Sequence, residues 1–114
     1  MNKFQEDVLW IDDKLGRDPS QWRIIFDRDL TEATVPSLCG TFKKILDIIE
    51  NGEIEETLEV VNAYVSLTIL WNNLQNFKRM SDMKNTTEAD RLWNKIKLDL
   101  PKVIEQLAQV ARGL

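Results

Sequence analysis

Apolar residues recur every three or four positions along most of the chain, which is the spacing of one face of an α-helix. The longest series lies in the last segment and consists of Leu92, Ile96, Leu100, Val103, Leu107, Val110 and Leu114. Only four Gly and three Pro interrupt 114 residues, too few to supply the turns of a many-stranded sheet. The pattern predicts an all-α fold, a compact bundle of four to five helices in one domain that covers residues 1–114.

Turn residues separate the helical segments. Gly16 can end a first helix over residues 3–15, and Asp18, Pro19 and Gln21 form a typical helix start before the next apolar series. The segment 31–37 breaks the pattern again, with Pro36 suited to a first turn, and Asn51-Gly52 ends the third helix. Thr87 with Asp90 resembles a cap before the last helix. Because Pro101 lacks an N–H but the apolar series continues past it, we expect one helix kinked there.

The fourth segment, from about residue 53 to 80, is apolar on two sides. Its first half places Ile54, Leu58, Val61, Val65 and Ile69 on one face, and its second half places Leu67, Leu70, Leu74 and Phe77 on nearly the opposite one. A helix that is apolar on two sides is buried on two sides. This segment is therefore expected to be the central helix of the bundle or to meet a second chain, as in a homodimer formed through residues 53–80.

A few sequence features indicate the cellular compartment and whether the chain spans a membrane. Cys39 is the only cysteine, and the first ten residues lack a basic stretch leading into an apolar one, so a cytoplasmic location is expected. The longest nearly apolar run, residues 60–71, is shorter than the roughly 20 residues that a membrane span requires. We expect no membrane association, and Cys39 is interpreted as a small, semi-buried apolar residue.

Charge is unevenly distributed along the chain. Residues 1–59 hold seven Lys/Arg and fourteen Asp/Glu, a net −7, whereas residues 60–114 hold eight and five, a net +3. The two halves either neutralise one another in the folded bundle or leave an acidic face for a basic partner. The basic side chains around residues 78–97, with Trp71 and Trp93, could in principle contact nucleic acid, but the overall acidity weighs against it.

The composition excludes several kinds of chemistry. The chain has no histidine, which removes Ser-His-Asp and Cys-His catalysis and His-ligated metals, and it lacks the common glycine-rich phosphate motifs. Glu56 and Glu59 form an E-x-x-E motif that resembles the Mg²⁺-binding motif of MazG-type nucleotide pyrophosphohydrolases, which are all-helical enzymes of about this size. The later E-x-x-D of those enzymes is missing here. We expect no catalytic residues, no metal and no cofactor.

The stretch "EIEETLE" at residues 53–59 is the strongest acidic cluster. Either Glu53, Glu55 and Glu56 lie in the first helical turn, where the helix dipole favours anions, or the acids form a patch for a basic surface. If the patch is functional, the candidate partner-binding residues are Trp10, Asp12, Asp13, Glu55, Glu56 and Glu59. Trp10 lies away from the apolar stripe of its own helix, and aromatic residues often anchor such interfaces.

Three functions follow as hypotheses. The first is a small acidic module that inhibits another protein with a basic surface, in the manner of immunity proteins, antitoxins or anti-defence proteins. The second is a self-associating structural or regulatory subunit. The third is a MazG-like, carboxylate-metal nucleotide phosphohydrolase.

Overall fold

Five α-helices make up most of the described chain. The computed structural model describes residues 2–15, 18–31 and 38–114, with side chains for all of these except 27–31. The helices are α1 Lys3–Leu15, α2 Trp22–Thr31, α3 Leu38–Glu50, α4 Leu58–Asp82 and α5 Thr86–Arg112, and a 3₁₀ turn, Pro19–Gln21, precedes α2. No strand occurs in these ranges, and the predicted all-α bundle is confirmed. The predicted helix stop at Gly16 and the Pro36 start lie outside the described residues.

Four helices form an antiparallel ring, in which α1 packs on α3 and α5, and α4 packs on α3 and α5. Short connections make α4 antiparallel to α3 and to α5. The side-chain amide of Gln5 donates to the Ala111 carbonyl at 2.9 Å, which places the start of α1 beside the end of α5. The starts of α1 and α4 and the ends of α3 and α5 therefore lie at one end of the bundle.

Apolar burial holds the ring together. Each helix contributes one stripe at helical spacing, as predicted for α1 (Phe4, Val8, Ile11, Leu15), and the stripe of α5 is buried from Leu92 to Val110. The buried stripe of α4 consists of Val60, Ala63, Leu67, Leu70, Leu74 and Phe77. Cys39 is buried in α3, in line with its interpretation as a small apolar residue. Each fully buried aliphatic or aromatic side chain stabilises the fold by about 1.5–3 kcal/mol.

Helix α2 packs at the other end of the bundle, against the end of α4 and the start of α5. Its Phe26 ring lies 5.9 Å from the ring of Trp93 in α5, and Phe77 of α4 lies 5.6 Å from the same ring. Arg23 pairs with Asp90 at 2.6 Å and also stands over the Phe77 ring. Trp93 is thus a buried core residue.

Helix α5 runs without interruption through Pro101, so the expected single helix is confirmed, and the bend at Pro101 stays a prediction. Its start differs from the expectation, because the side chain of Asn85, not of Thr87, accepts from the Glu88 N–H at 3.3 Å. Asp18 caps the turn before α2 as predicted, and the hydroxyl and amide of Ser20 that donate to it lower its pKa.

Helices α3 and α4 both end in left-handed turns of one type. After α3, Gly52 has φ +70°, and the N–H of Glu53 donates back to the Ile48 carbonyl at 3.1 Å. After α4, Lys84 has φ +58°, and the N–H of Asn85 donates back to the Met80 carbonyl at 2.9 Å. These are the bonds of the Schellman motif, in which the left-handed residue is usually glycine. The predicted reversal at Asn51-Gly52 is confirmed.

The two turns predict substitutions of opposite effect. Gly52→Ala should lower the free energy of unfolding by about 1 kcal/mol, because a left-handed Cβ is strained. No atom lies within 4 Å of that Cβ, so a clash adds nothing. Lys84→Gly should raise the free energy of unfolding by about 0.5–1 kcal/mol, since it relieves the same strain but loosens the unfolded chain. Urea unfolding curves measure both changes.

Lys84→Ala is the control for the lysine turn, because it removes the charge and the long side chain but keeps the strained Cβ. Its free energy of unfolding should stay close to that of the natural chain. Equal stabilisation by Ala and by Gly would mean that the side chain, and not the backbone conformation, is responsible.

Candidate functional site

One interpretation of the sequence required the acids of residues 53–59 to lie in the first turn of a helix. In the structure most of this acidic segment lies before the helix begins. Helix α4 begins at Leu58, and residues 53–57 cross from α3 to α4 without helical structure. The expected start near residue 53 is therefore wrong by five residues. The helix dipole explains Glu59, which lies in the first turn, but not Glu53, Glu55 or Glu56. All four carboxylates are exposed.

Thr57 separates the acidic segment from the helix. Its backbone is extended, with φ −112° and ψ 171°, and its hydroxyl accepts from the Val60 N–H at 3.3 Å. A hydroxyl in this position satisfies one of the N–H groups that a helix start leaves without a partner. Ile54 packs partly against the core and holds the middle of the segment to the bundle.

The carboxylates of the acidic segment point to two sides of α4. Glu56 lines a shallow groove of about 360 Å³ on the α3 side, together with Glu50, Ile54, Val61 and Tyr64. The Tyr64 hydroxyl donates to Glu50 at 2.7 Å, and this hydrogen bond raises the pKa of Tyr64.

Glu55 and Glu59 line a second groove, of about 330 Å³, on the α5 side against Gln109 and Val110. Glu56 and Glu59 thus lie on different sides of α4. The E-x-x-E motif does not present two carboxylates on one helical face, the arrangement that a shared metal ion would need. Among the described residues, no group of three Asp, Glu or Cys is arranged to hold a metal ion.

The acids of the segment lack counter-ions within the described chain. None of its four glutamates comes within 4 Å of a Lys or Arg whose side chain the structure describes, whereas six other acids with described side chains do so: Asp7, Asp47, Glu88, Asp90, Asp99 and Glu105. Among the described side chains, only the Arg23–Asp90 pair joins the two halves of the sequence, and its basic residue, Arg23, belongs to the acidic half. Ion pairing among the described residues therefore does not neutralise the excess acids of the first half with the bases of the second.

The candidate residues of α1 lie elsewhere. Asp12 lines a groove of about 280 Å³ between α1 and α5 with Leu9 and Arg112, and Asp13 is exposed on the same helix. Trp10 is half-buried and packs against the core, and its role as an anchor stays a prediction. The structure brings Glu55 and Glu59 together, and it places Asp12 in a different groove from either side of the acidic segment.

The second apolar face of α4 is exposed. We call Leu58, Val61, Val65 and Ile69 the outer stripe; their exposed fractions are 72%, 38%, 52% and 49%. The interpretation of α4 as a central helix buried on two sides is therefore wrong, because α3 and α5 cover only its inner face. Four of the large apolar residues that are exposed in the described chain belong to this one stripe.

The distribution of charged residues along α4 indicates an interface, which the apolar spacing alone did not reveal. Residues 60–77 contain no Asp, Glu, Lys or Arg, although many of their side chains are exposed or half-buried. The outer stripe continues into the amides Asn72 and Asn76, and Arg79 follows on the same side. Ordinary protein surfaces are about 25–35% charged, and the centre of an interface is depleted of charge. The outer face of α4 thus has the composition of an interface.

No helix among the described residues combines the length and the apolar character needed to cross a membrane. Trp93 is buried between Phe26 and Phe77, so its ring is not open to stack on a nucleic-acid base. Trp71, the other aromatic considered for that role, is only partly exposed.

Loss of the Thr57 hydroxyl should destabilise the start of α4. We expect Thr57→Ala to lower the free energy of unfolding by about 1 kcal/mol, because the Val60 N–H loses its partner. Thr57→Ser keeps the hydroxyl and should stay within a few tenths of a kcal/mol of the natural chain. Denaturant titration of the three proteins measures the difference, and equal losses in both variants would show that the methyl group, not the cap, matters.

Comparison with known proteins leaves the chain without a relative that could assign its function. No protein-family model, curated protein sequence or solved structure shows significant similarity to it.

Proposed function

We propose that this chain is a small protein-binding module that inhibits another protein by covering part of its surface. The observation that carries the proposal is the acidic segment, which holds four exposed carboxylates without a counter-ion among the described residues. Unpaired carboxylates of one sign attract a basic surface and accelerate its approach. A target that handles nucleic acid has such a surface.

The position of the segment suits binding by occlusion. It lies at one end of the bundle, between α3 and α4, so a partner could approach it end-on. Glu55 and Glu59 lie at the rim of the groove between α4 and α5. The apolar side chains of Val60 and Val110 line the same groove. An apolar groove with a charged rim is the usual layout of an interface, in which the centre supplies affinity and the rim supplies rate and selectivity.

The experiment begins with affinity capture from the cells that make the protein, and the proposal requires one defined protein partner. Association is then measured with Glu55→Gln/Glu59→Gln. We expect the association rate to fall roughly three- to tenfold at low salt, with little change in dissociation, because rim charges act mainly on encounter. The difference should shrink as salt shortens the screening length from about 10 Å at 0.1 M to about 3 Å at 1 M.

Asp82→Lys is the matched control. It changes the net charge by the same two units, at an exposed acid that lies at the other end of α4 and forms no ion pair with a described residue. Its association rate should stay near that of the natural chain. If Asp82→Lys slows association as much as the double variant, only net charge matters, and if neither does, the acidic segment is not the contact.

Self-association is the second candidate function, and the outer stripe of α4 is the observation that favours it. An exposed apolar stripe on a charge-free helix face is costly to leave in water and is typical of a surface that another chain covers. A structural or regulatory subunit that pairs through residues 53–80 would cover it. This candidate does not depend on a basic partner at the acidic segment.

A further inference from the structure

We propose that a second copy of this chain docks on the outer stripe of α4, with the two α4 helices antiparallel and a twofold axis at Val65. The proposal rests on the second candidate function, self-association, and is independent of the partner of the acidic segment. It assigns an orientation, a centre and a set of paired residues to that association.

The three central residues of the outer stripe are symmetric about Val65. Val61 and Ile69 lie four residues before and after it, and Leu58 and Asn72 lie seven residues before and after it. In an antiparallel pair centred on Val65, Val65 meets its own copy and each Val61 meets the Ile69 of the other chain. A twofold interface must be self-complementary in this way, because the same patch serves both partners. One twofold operation therefore covers the three apolar residues at the centre of the stripe in both chains.

Charge at the two ends of α4 selects the antiparallel orientation. The acidic segment precedes the helix, residues 60–77 are uncharged, and Arg79 lies near the far end on the side of the outer stripe. Glu50 and Glu56 line the groove on the flank of Val61, and Arg79 falls on the same flank. A twofold axis at Val65 brings Arg79 of one copy to the level of the acidic segment of the other. A parallel pair would place like charges together at both ends.

The length of α4 suits a dimer interface that runs along the molecule. Helix α4 has 25 residues and is about 37 Å long at 1.5 Å per residue, nearly the full 41 Å of the molecule. A standard stable interface takes about 800 Å² per partner. That is about an eighth of the 6950 Å² surface of the molecule.

The first measurement is the mass in solution by sedimentation equilibrium over a wide range of protein concentration. The natural chain, with a monomer mass of 13.3 kDa, should reach twice that mass. Val65→Lys should weaken the dimer on the order of 100-fold or more, because two like charges then meet at the axis. Leu98→Lys is the matched control, since Leu98 is equally apolar and 65% exposed but lies on α5. Its dimer should be unchanged.

Disulfide trapping tests the orientation. In a Cys39→Ala background, Val61→Cys and Ile69→Cys are prepared separately and then mixed under mild oxidation. The antiparallel pair predicts that the mixed species, joined from residue 61 to residue 69, forms faster than either homodimer, because only facing Cβ atoms reach disulfide distance. Faster formation of the two homodimers would indicate a parallel pair and would overturn the proposed orientation.

A charge exchange tests the ends. Arg79→Glu should weaken the dimer several-fold, and Arg79→Glu combined with Glu56→Arg should restore most of that loss. Circular dichroism confirms that each variant is folded. A natural chain that stays at 13.3 kDa at every concentration would remove self-association itself. A dimer that survives Val65→Lys would keep self-association but place it on another face. Neither result bears on the effect of Glu55→Gln/Glu59→Gln on a captured partner.

Discussion

The burial of the inner face of α4 against α5 and α3 organises the rest of the molecule. Helices α4 and α5 are the two longest, and their apolar stripes cover one another over most of their length. Once these stripes are paired, α3 and α1 close the ring, and α2 fixes the far end through Phe26 and Arg23. The same arrangement decides which face of α4 is left over. In the four-helix ring one face of each helix points inward, and none of the described helices covers the outer stripe.

Apolar contacts join the different helices of the bundle, whereas most of the ion pairs are local. Most ion pairs of the described residues join neighbours on one helix, such as Lys43–Asp47 and Arg91–Glu88, and the latter lowers the pKa of Glu88. Such exposed pairs stabilise a helix by only a few tenths of a kcal/mol each. The four glutamates of the acidic segment take no part in these pairs and lie together at the start of α4. Charge thus contributes little to holding the bundle together, while its uneven distribution along α4 distinguishes one end of the helix from the other.

The apolar spacing of the sequence predicted those helices in which local structure and packing favour the same residues. The range and the buried stripe of α1 follow from the sequence because the apolar spacing and the polar face agree over residues 3–15. The start of α4 does not, because Ile54 continues the helical spacing of Leu58 and Val61 although it reaches the core from a non-helical segment. The cap of α5 falls on Asn85 and not Thr87, and Asn is the stronger capping residue.

For the candidate site, the sequence identified the acidic residues and the second apolar face of α4, but not which face is covered or which acids face one another. Glu55, Glu56 and Glu59 look alike in the sequence, but Glu56 lines the groove on the α3 side of α4, whereas Glu55 and Glu59 line the groove on the α5 side. The pairing of charges between distant segments is likewise a property of tertiary structure, and residue counts along the chain do not contain it.

The turn between α4 and α5 has a consequence for how the chain tolerates change. Asn85 serves both helices, since its N–H donates to the Met80 carbonyl at the end of α4 and its side chain accepts from Glu88 at the start of α5. A peptide inserted there would separate these two bonds and uncap both of the longest helices at once. In the connection at residues 53–57, no residue before Thr57 forms hydrogen bonds to both of the helices that it joins. Natural or engineered insertions should accordingly accumulate in that connection, whereas the α4–α5 hairpin should keep its length.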